Sequence, residues 1–256
     1  MNKISIITAT YNAGSLLEGL ILSIIQQKYK NYEFVIIDGG STDSTIEVIK
    51  KYENYVSFWV SEPDQGIYDA WNKGVAKSTG DWLMFLGADD MLLPDALDNY
   101  VQFLEKYPDS DSLLLLSSKR EMIDTNGKSI RKTGYAWEWP LFRKFMTISH
   151  PGALHAQKLF RQYGSYNTAF KICGDYELLL RPREKLKAAF MDIVTVKMSE
   201  GGASDSISAV LEYYKASTTT GGNSLIKAGY SAILTISKFI FKKSLRKLGI
   251  NVYLQK

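Results

Sequence analysis

A single cysteine, Cys173, in a chain of 256 residues excludes an internal disulfide framework and any zinc site built from cysteines alone. A reducing compartment fits that usage. Long apolar runs are missing too. The longest uncharged, apolar-leaning run of the C-terminal tail, Ala228 to Ser237, is about half of the ~20 residues that a spanning helix needs. Met1 to Thr10 lacks the length and cleavage site of a signal peptide and reads as a first strand. Neither G-x-G-x-x-G nor G-x-x-x-x-G-K-[ST] occurs, which disfavours dinucleotide dehydrogenases and P-loop ATPases. Acids are absent from Ser224 to Lys256, where seven Lys and Arg stand alone. The formal charge of +4 therefore divides into a slightly acidic body and a basic tail. With 45% apolar, 12% aromatic and 23% charged residues, what is present is an ordinary globular composition, not a disordered or collagen-like one.

The first hundred residues alternate between short β-rich runs and helical patterns. Strands are expected at Ile4 to Ile7, Glu33 to Ile37, Val56 to Val60 and Trp82 to Leu86. Helices are expected at Leu16 to Gln27, Asp43 to Tyr52 and Ile67 to Ala76. This alternation implies βαβ units, a mostly parallel sheet covered on both faces, and ligand binding at the carboxyl ends of strands. Further on, a helix is expected at Asp95 to Tyr107, a strand at Leu113 to Ser117, a hairpin at Asp124 to Gly127 and an aromatic-rich loose section up to Pro151. A helix over Leu178 to Lys187, a strand over Ala189 to Val196 and a helix over Ile207 to Ala216 complete the body. The simplest division is a catalytic domain over 1–222, with halves 1–100 and 101–222, and a helical tail over 223–256.

Two clusters fall where the carboxyl-end rule points. Gly87-Ala88-Asp89-Asp90 follows an apolar strand. Adjacent carboxylates there are either a solvated helix cap or a hard-oxygen site for Mg²⁺ or Mn²⁺ that bridges to substrate phosphates. Thr8-Ala9-Thr10-Tyr11-Asn12 offers hydroxyls for a ribose or phosphate and a ring to stack on a base, or else a helix cap and a packed tyrosine.

With Asp38-Gly39-Gly40-Ser41-Thr42-Asp43, the run Asp64 to Gly74 and Ser78-Thr79-Gly80-Asp81-Trp82, these clusters occur in an order and spacing that resemble family 2 glycosyltransferases. The likeness is close over the first hundred residues and looser up to Gly202. It implies a GT-A fold (Rossmann-like α/β), a nucleotide-diphosphate sugar donor, with UDP-sugars favoured, Mn²⁺ or Mg²⁺, and transfer with inversion. It implies donor contacts from Thr8, Tyr11, Asn12, Asp38, Asp64, Asp69, Asn72 and Asp89, with Tyr11 at the base-stacking position and Asp38 in the base-reading segment. Asp89 and Asp90 match the metal-holding D-x-D element. In Cys173-Gly174-Asp175-Tyr176-Glu177, Asp175 matches the catalytic base and Glu177 is the rival. His150 is either a diphosphate or metal contact or a structural histidine.

Three departures from the pattern stand out. Gly39 replaces the second Asp of D-D-G-S, Gly87 the first Asp of D-x-D-D, and Gly174 the Glu of the usual E-D pair. No Q-x-x-R-W is present, so one sugar per encounter is expected, not processive synthesis. A sugar nucleotidyltransferase is the rival enzyme, although Thr8 to Gly14 contains none of the basic residues such an enzyme uses after its first strand. A non-catalytic, membrane-peripheral nucleotide-sugar-binding protein is the third possibility.

From Ser224 to Lys242, a step of about 100° per residue places Leu225, Ile226, Tyr230, Ile233, Leu234, Ile236, Phe239, Ile240 and Phe241 on one broad face. Lys227, Lys238 and Lys242 flank it, and Lys243, Arg246 and Lys247 extend the charge. Such a helix either lies in the headgroups of an anionic membrane through residues 224–247 or packs on protein. The expected setting is cytoplasmic and peripheral, on the inner face of the cell membrane, with a lipid-linked or glycan acceptor and no nucleic acid.

Overall fold

The computed structural model describes residues 2–124 and 126–247. The end of the tail, 248–256, and the side chains of Ile240, Lys242, Lys243, Arg246 and Lys247 lie outside the described residues. So does Thr125 of the hairpin turn.

In chain order the elements are β1 (Ile4–Thr10), α1 (Gly14–Ile25), β2 (Tyr32–Asp38), α2 (Thr45–Lys51), β3 (Phe58–Ser61), α3 (Ile67–Lys77) and β4 (Trp82–Gly87). Then come β5 (Met91–Leu92), α4 (Ala96–Lys106), β6 (Leu115–Ile123), β7 (Ser129–Thr133), α5 (Trp139–Phe142), β8 (Leu154–Ala156) and α6 (Gln157–Tyr163). The last are α7 (Gly174–Leu180), β9 (Ala188–Ser199), α8 (Ile207–Thr219) and α9 (Leu225–Lys247).

Strands run in the order β3-β2-β1-β4-β8-β6-β9-β5, with β7 paired to β6. Pairing is parallel across β3, β2, β1 and β4. Beyond β4 the sheet is mixed, because the short β8 enters antiparallel between β4 and β6 while β9 runs parallel to β6. The sheet packs apolar residues on both faces of β1, β2 and β4. Ile4, Ile6, Phe34, Ile36, Met84 and Leu86 face α1 and α4; Ile7, Val35, Ile37, Leu83 and Phe85 face α3, α6 and α7.

The expected N-terminal elements appear in place, and the differences lie further on. The expected helix over Leu178 to Lys187 is instead α7, which starts earlier and ends at Leu180. Pro182 cannot donate to the carbonyl of Leu178 and crowds it, so the helix stops there. Strand β6 runs past Ser117 to Ile123 because its charged residues pair with β7 and β9 at the sheet's end. The hairpin turn is present, with Gly127 at φ +77° and its N–H donated to the Asp124 carbonyl at 2.9 Å. The aromatic-rich section contains α5, and β8 and α6 follow it; none of the three has enough length for a readable period.

The amino edge of the sheet is locked by Glu33. Its carboxylate accepts from Lys3 Nζ at 2.7 Å, Ser5 Oγ at 2.6 Å, and Thr79 N–H and Oγ1 at 2.5 and 2.8 Å. Burial alone would raise its pKa, but these donors prevail and hold it at about 2. A depressed carboxylate stabilises the fold above its unfolded value and loses that contribution as pH falls toward the folded value. Glu33→Gln should therefore lower unfolding free energy near neutral pH by about 2 kcal/mol. In urea titrations the gap from wild type should narrow below pH ~4.3; a gap that does not change with pH would contradict this assignment.

Candidate active site

Register brings the strand ends together. Thr10 pairs with Asp38, Asp38 with Ser61, and Ala9 with Gly87, so the loops after β1, β2, β3 and β4 emerge at one edge. Asp38 is buried and organises two of them. Its Oδ2 accepts from Gly40 N–H at 3.0 Å, Ser41 N–H at 2.8 Å and Ser61 Oγ at 2.6 Å, and its Oδ1 accepts from Ser41 Oγ at 2.5 Å. Asn12, at φ +47°, donates its N–H to Ser41 Oγ at 2.7 Å and accepts from Thr42 N–H at 2.9 Å. Asp38 thus joins the turn after β2 to the end of β3, and Asn12 joins the loops after β1 and β2. Thr8 and Thr10 are buried, and among the described residues neither hydroxyl has a hydrogen-bond partner.

Tyr11 is 63% exposed at this edge, an unusual state for so large a ring. Asp64 turns toward it. A Cβ added to Gly39 would lie 2.7 Å from Asp64 Oδ2 and 3.4 Å from Tyr11 Cδ2, so the absent side chain at 39 makes room for that carboxylate. The other oxygen, Oδ1, accepts from Gly66 N–H at 2.7 Å. Asp69 accepts from Gln65 N–H at 3.0 Å and so shapes the same loop. Asn72 clasps the backbone of Tyr166 from both sides, donating to its carbonyl and accepting from its N–H at 2.9 Å each. Its contacts tie α3 to the segment after α6.

After β4, Asp89 is exposed and Asp90 buried. Asp90 Oδ2 accepts from Gly87 N–H at 2.7 Å, while its Oδ1 is buried with no partner among the described residues. Burial, with the charge of Asp89 beside it, raises Asp90 to about 7. Asp89 Oδ1 and Asp90 Oδ2 converge on the space a Cβ of Gly87 would occupy, at 2.9 and 3.4 Å. An orphaned buried oxygen beside a second carboxylate suits a divalent ion. No cluster of three or more His, Cys, Asp or Glu able to hold one exists among the described residues. The remaining positions would therefore fall to substrate phosphate and water, as is usual for Mg²⁺.

On the other side, α7 carries Asp175. Its Oδ1 accepts from Tyr176 N–H at 2.8 Å and from Tyr68 Oη at 3.1 Å. Burial raises its pKa, and these two donors offset part of the rise. Glu177 is differently placed. Arg181 grips it from Nε at 3.1 Å to both oxygens and from Nη2 at 2.5 Å, and Thr220 donates at 3.0 Å. His150 stacks between Trp71 and Phe85 at 5.1 and 5.6 Å, with Nε2 3.1 Å from Tyr166 Oη, and burial lowers it to about 3. Its contacts are those of a neutral core histidine.

The structure adds residues that the sequence reading did not single out. Arg120 on β6 is half-buried and within electrostatic reach of Asp90 and Asp175, whose charges counter the lowering of its pKa by burial. Glu212 on α8 accepts the N–H groups of Lys171, Ile172 and Cys173 at 2.8, 2.8 and 3.0 Å, holding the turn that enters α7. Charged residues continuing β6 beyond Ser117 were the available signal for Arg120. Glu212 gave none, since its contact spans 39 to 41 residues.

The model of the family described as glycosyl transferase family 2 matches residues 5–165. The chain belongs to that family. This family 2 glycosyltransferase is 30% identical over 216 residues to the PGL/p-HBAD biosynthesis glycosyltransferase of Mycobacterium tuberculosis, covering 79% of each chain. An uncharacterized glycosyltransferase of Haemophilus influenzae is 34% identical over 134 residues, 51% of this chain and 52% of that one. Among solved structures, S. aureus TarS 1–349 in complex with UDP-GlcNAc superposes with a TM-score of 0.68 at 15% identity, covering 88% of this chain and 69% of TarS. The mannosyltransferase PcManGT of Pyrobaculum calidifontis, in complex with GDP-Man and Mn²⁺, gives 0.63 at 16% identity over 90% and 69%. The glycosyltransferase thus has the GT-A fold, and membership sets aside both the nucleotidyltransferase and the non-catalytic adaptor.

Proposed function

We propose that this enzyme moves one sugar from a UDP-sugar to a hydroxyl of a lipid-linked or glycan acceptor, with inversion at the anomeric carbon and with Asp175 as base. The observation that carries the proposal is the contrast between Asp175 and Glu177. Glu177 is neutralised by a bidentate arginine, whereas Asp175 is half-buried, without a cation in hydrogen-bond contact among the described residues, and raised in basicity by its surroundings. A base with those properties accepts the acceptor hydroxyl proton as its oxygen bonds to the anomeric carbon and the bond to the diphosphate oxygen breaks. The nucleoside diphosphate departs with the electron pair. Arg120, within electrostatic reach of Asp90 and Asp175, is the cation that would meet its charge.

Tyr11 and Asp64 support the donor reading. An exposed ring offers a stacking surface, and Asp64 Oδ2 beside it is an acceptor for the ring N–H of uracil. TarS was solved with a UDP-sugar, which agrees with that class. Asp89 and Asp90 would hold Mn²⁺ or Mg²⁺, which supplies charge neutralisation for the diphosphate.

The tail extends the proposal to location. Ile226 is 85% exposed, and Leu225, Tyr230, Ile233 and Leu234 are exposed along the same helix with Lys227 and Lys238. No helix among the described residues is long and apolar enough to cross a membrane. An exposed apolar face edged by lysines and free of acids suits an anionic bilayer surface, at the inner face of the cell membrane where lipid-linked acceptors reside.

Asp175→Asn should abolish donor hydrolysis and transfer with UDP-sugars, while calorimetric UDP binding with Mn²⁺ stays within about twofold of wild type. Turnover near the wild-type rate would eliminate Asp175 as the base. Removing 224–256 should free the protein from phosphatidylglycerol vesicles in flotation. Undiminished vesicle binding by the truncated chain would refute the membrane role of the tail.

A further inference from the structure

Asp175 receives a side-chain hydrogen bond from a residue on the donor side of the molecule. Tyr68 lies on α3, just after the loop that carries Asp64 and Gly66. Its hydroxyl is 3.1 Å from Asp175 Oδ1 and 2.7 Å from the carbonyl of Ile172. The ring has little freedom to leave. It is buried, edge-on to Trp71 at 5.5 Å and tilted against Tyr166 at 5.3 Å. On its remaining side it lies on Gly174, where a Cβ would be 2.8, 2.9 and 3.0 Å from Cε2, Cδ2 and Cζ. No side chain fits at 174 unless this packed ring moves.

The two segments are joined a second time, because Lys171 Nζ donates to the Gln65 carbonyl at 2.7 Å. Glu212 fixes the same turn from the far side through three backbone N–H groups. The donor loop and the turn before α7 therefore form one braced unit, and Tyr68 is the part of it that touches the carboxylate.

We propose that Tyr68 is a positioning residue for the base. With the Tyr176 N–H it holds Oδ1 and leaves the other oxygen for the acceptor hydroxyl, so that a side chain of the donor side sets the aim of the group that activates the acceptor. A hydroxyl donated to a buried carboxylate favours its ionised form and so opposes the effect of burial. The other titratable groups facing Asp175 are Tyr166, from the segment after α6, and Arg120, from β6. Tyr68→Phe changes neither side chain and keeps the ring that packs against Tyr166. The proposal rests on the reading of Asp175 as base.

Tyr68→Phe keeps the ring and removes only the hydroxyl. The pH profile of kcat for UDP-sugar hydrolysis should then move its acid limb upward by about one pH unit, with kcat at neutral pH roughly tenfold lower and donor KM within about twofold of wild type. Gly174→Ala, which pushes the ring without removing its hydroxyl, should move the limb in the same direction. An unmoved acid limb in folded Tyr68→Phe overturns the proposal, whether kcat is unchanged or falls together with donor affinity. Asp175→Asn separates the two readings. If it stays active, the base assignment itself fails; if it is inactive while Tyr68→Phe keeps the wild-type limb, only the role of Tyr68 fails.

Discussion

The site depends on strand register. Parallel pairing that sets Thr10 beside Asp38, Asp38 beside Ser61 and Ala9 beside Gly87 decides that the loops after four strands end at one edge. A slip of one residue would exchange the two faces of a strand and drive its core residues onto the wrong helix layer. With both faces buried, that cost falls on every apolar position of the strand, so the register is strongly specified. Asp38 then converts register into loop shape. One buried carboxylate with four donors holds the turn after β2 and the end of β3, and Asn12 adds the loop after β1.

The acids around this edge are satisfied in different ways, and the differences support the roles proposed for them. Asp38 is saturated by neutral donors and builds structure. Glu177 is held by Arg181 in a charge-assisted bidentate pair, so its oxygens are occupied. Asp90 keeps one buried oxygen without a partner among the described residues, which fits the proposed role as a cation ligand. Asp175 has neutral donors on one oxygen, which steady it without removing its capacity to take a proton. Burial pushes Asp90 and Asp175 in the same direction, so the shift alone does not distinguish metal ligand from base. Their partners do.

Much of this was legible in the sequence because short-range rules govern the first half. The alternation of apolar runs with helical periods gave the βαβ order, and the carboxyl-end rule pointed to Tyr11, Asp38, Asp64 and Asp89 before any coordinates. The glycines at 39 and 174 read only as departures from a pattern. Their meaning is spatial: one leaves room for the Asp64 carboxylate and the other for the Tyr68 ring. Tyr68 lies within the run Asp64 to Gly74, but its contact with Asp175 spans 107 residues and has no local signature. The mixed half of the sheet was hidden because β8 has three residues, too few to show a period. The tail was readable as an amphipathic helix, and its exposed apolar face agrees with that pattern.

The central claim is a single displacement at the anomeric carbon with one carboxylate as base. It is tested most directly by proton NMR of the sugar first released from an α-linked UDP-sugar during hydrolysis, recorded before mutarotation. The account predicts that the β anomer appears first. Initial release of the α anomer would mean retention of configuration and would contradict it.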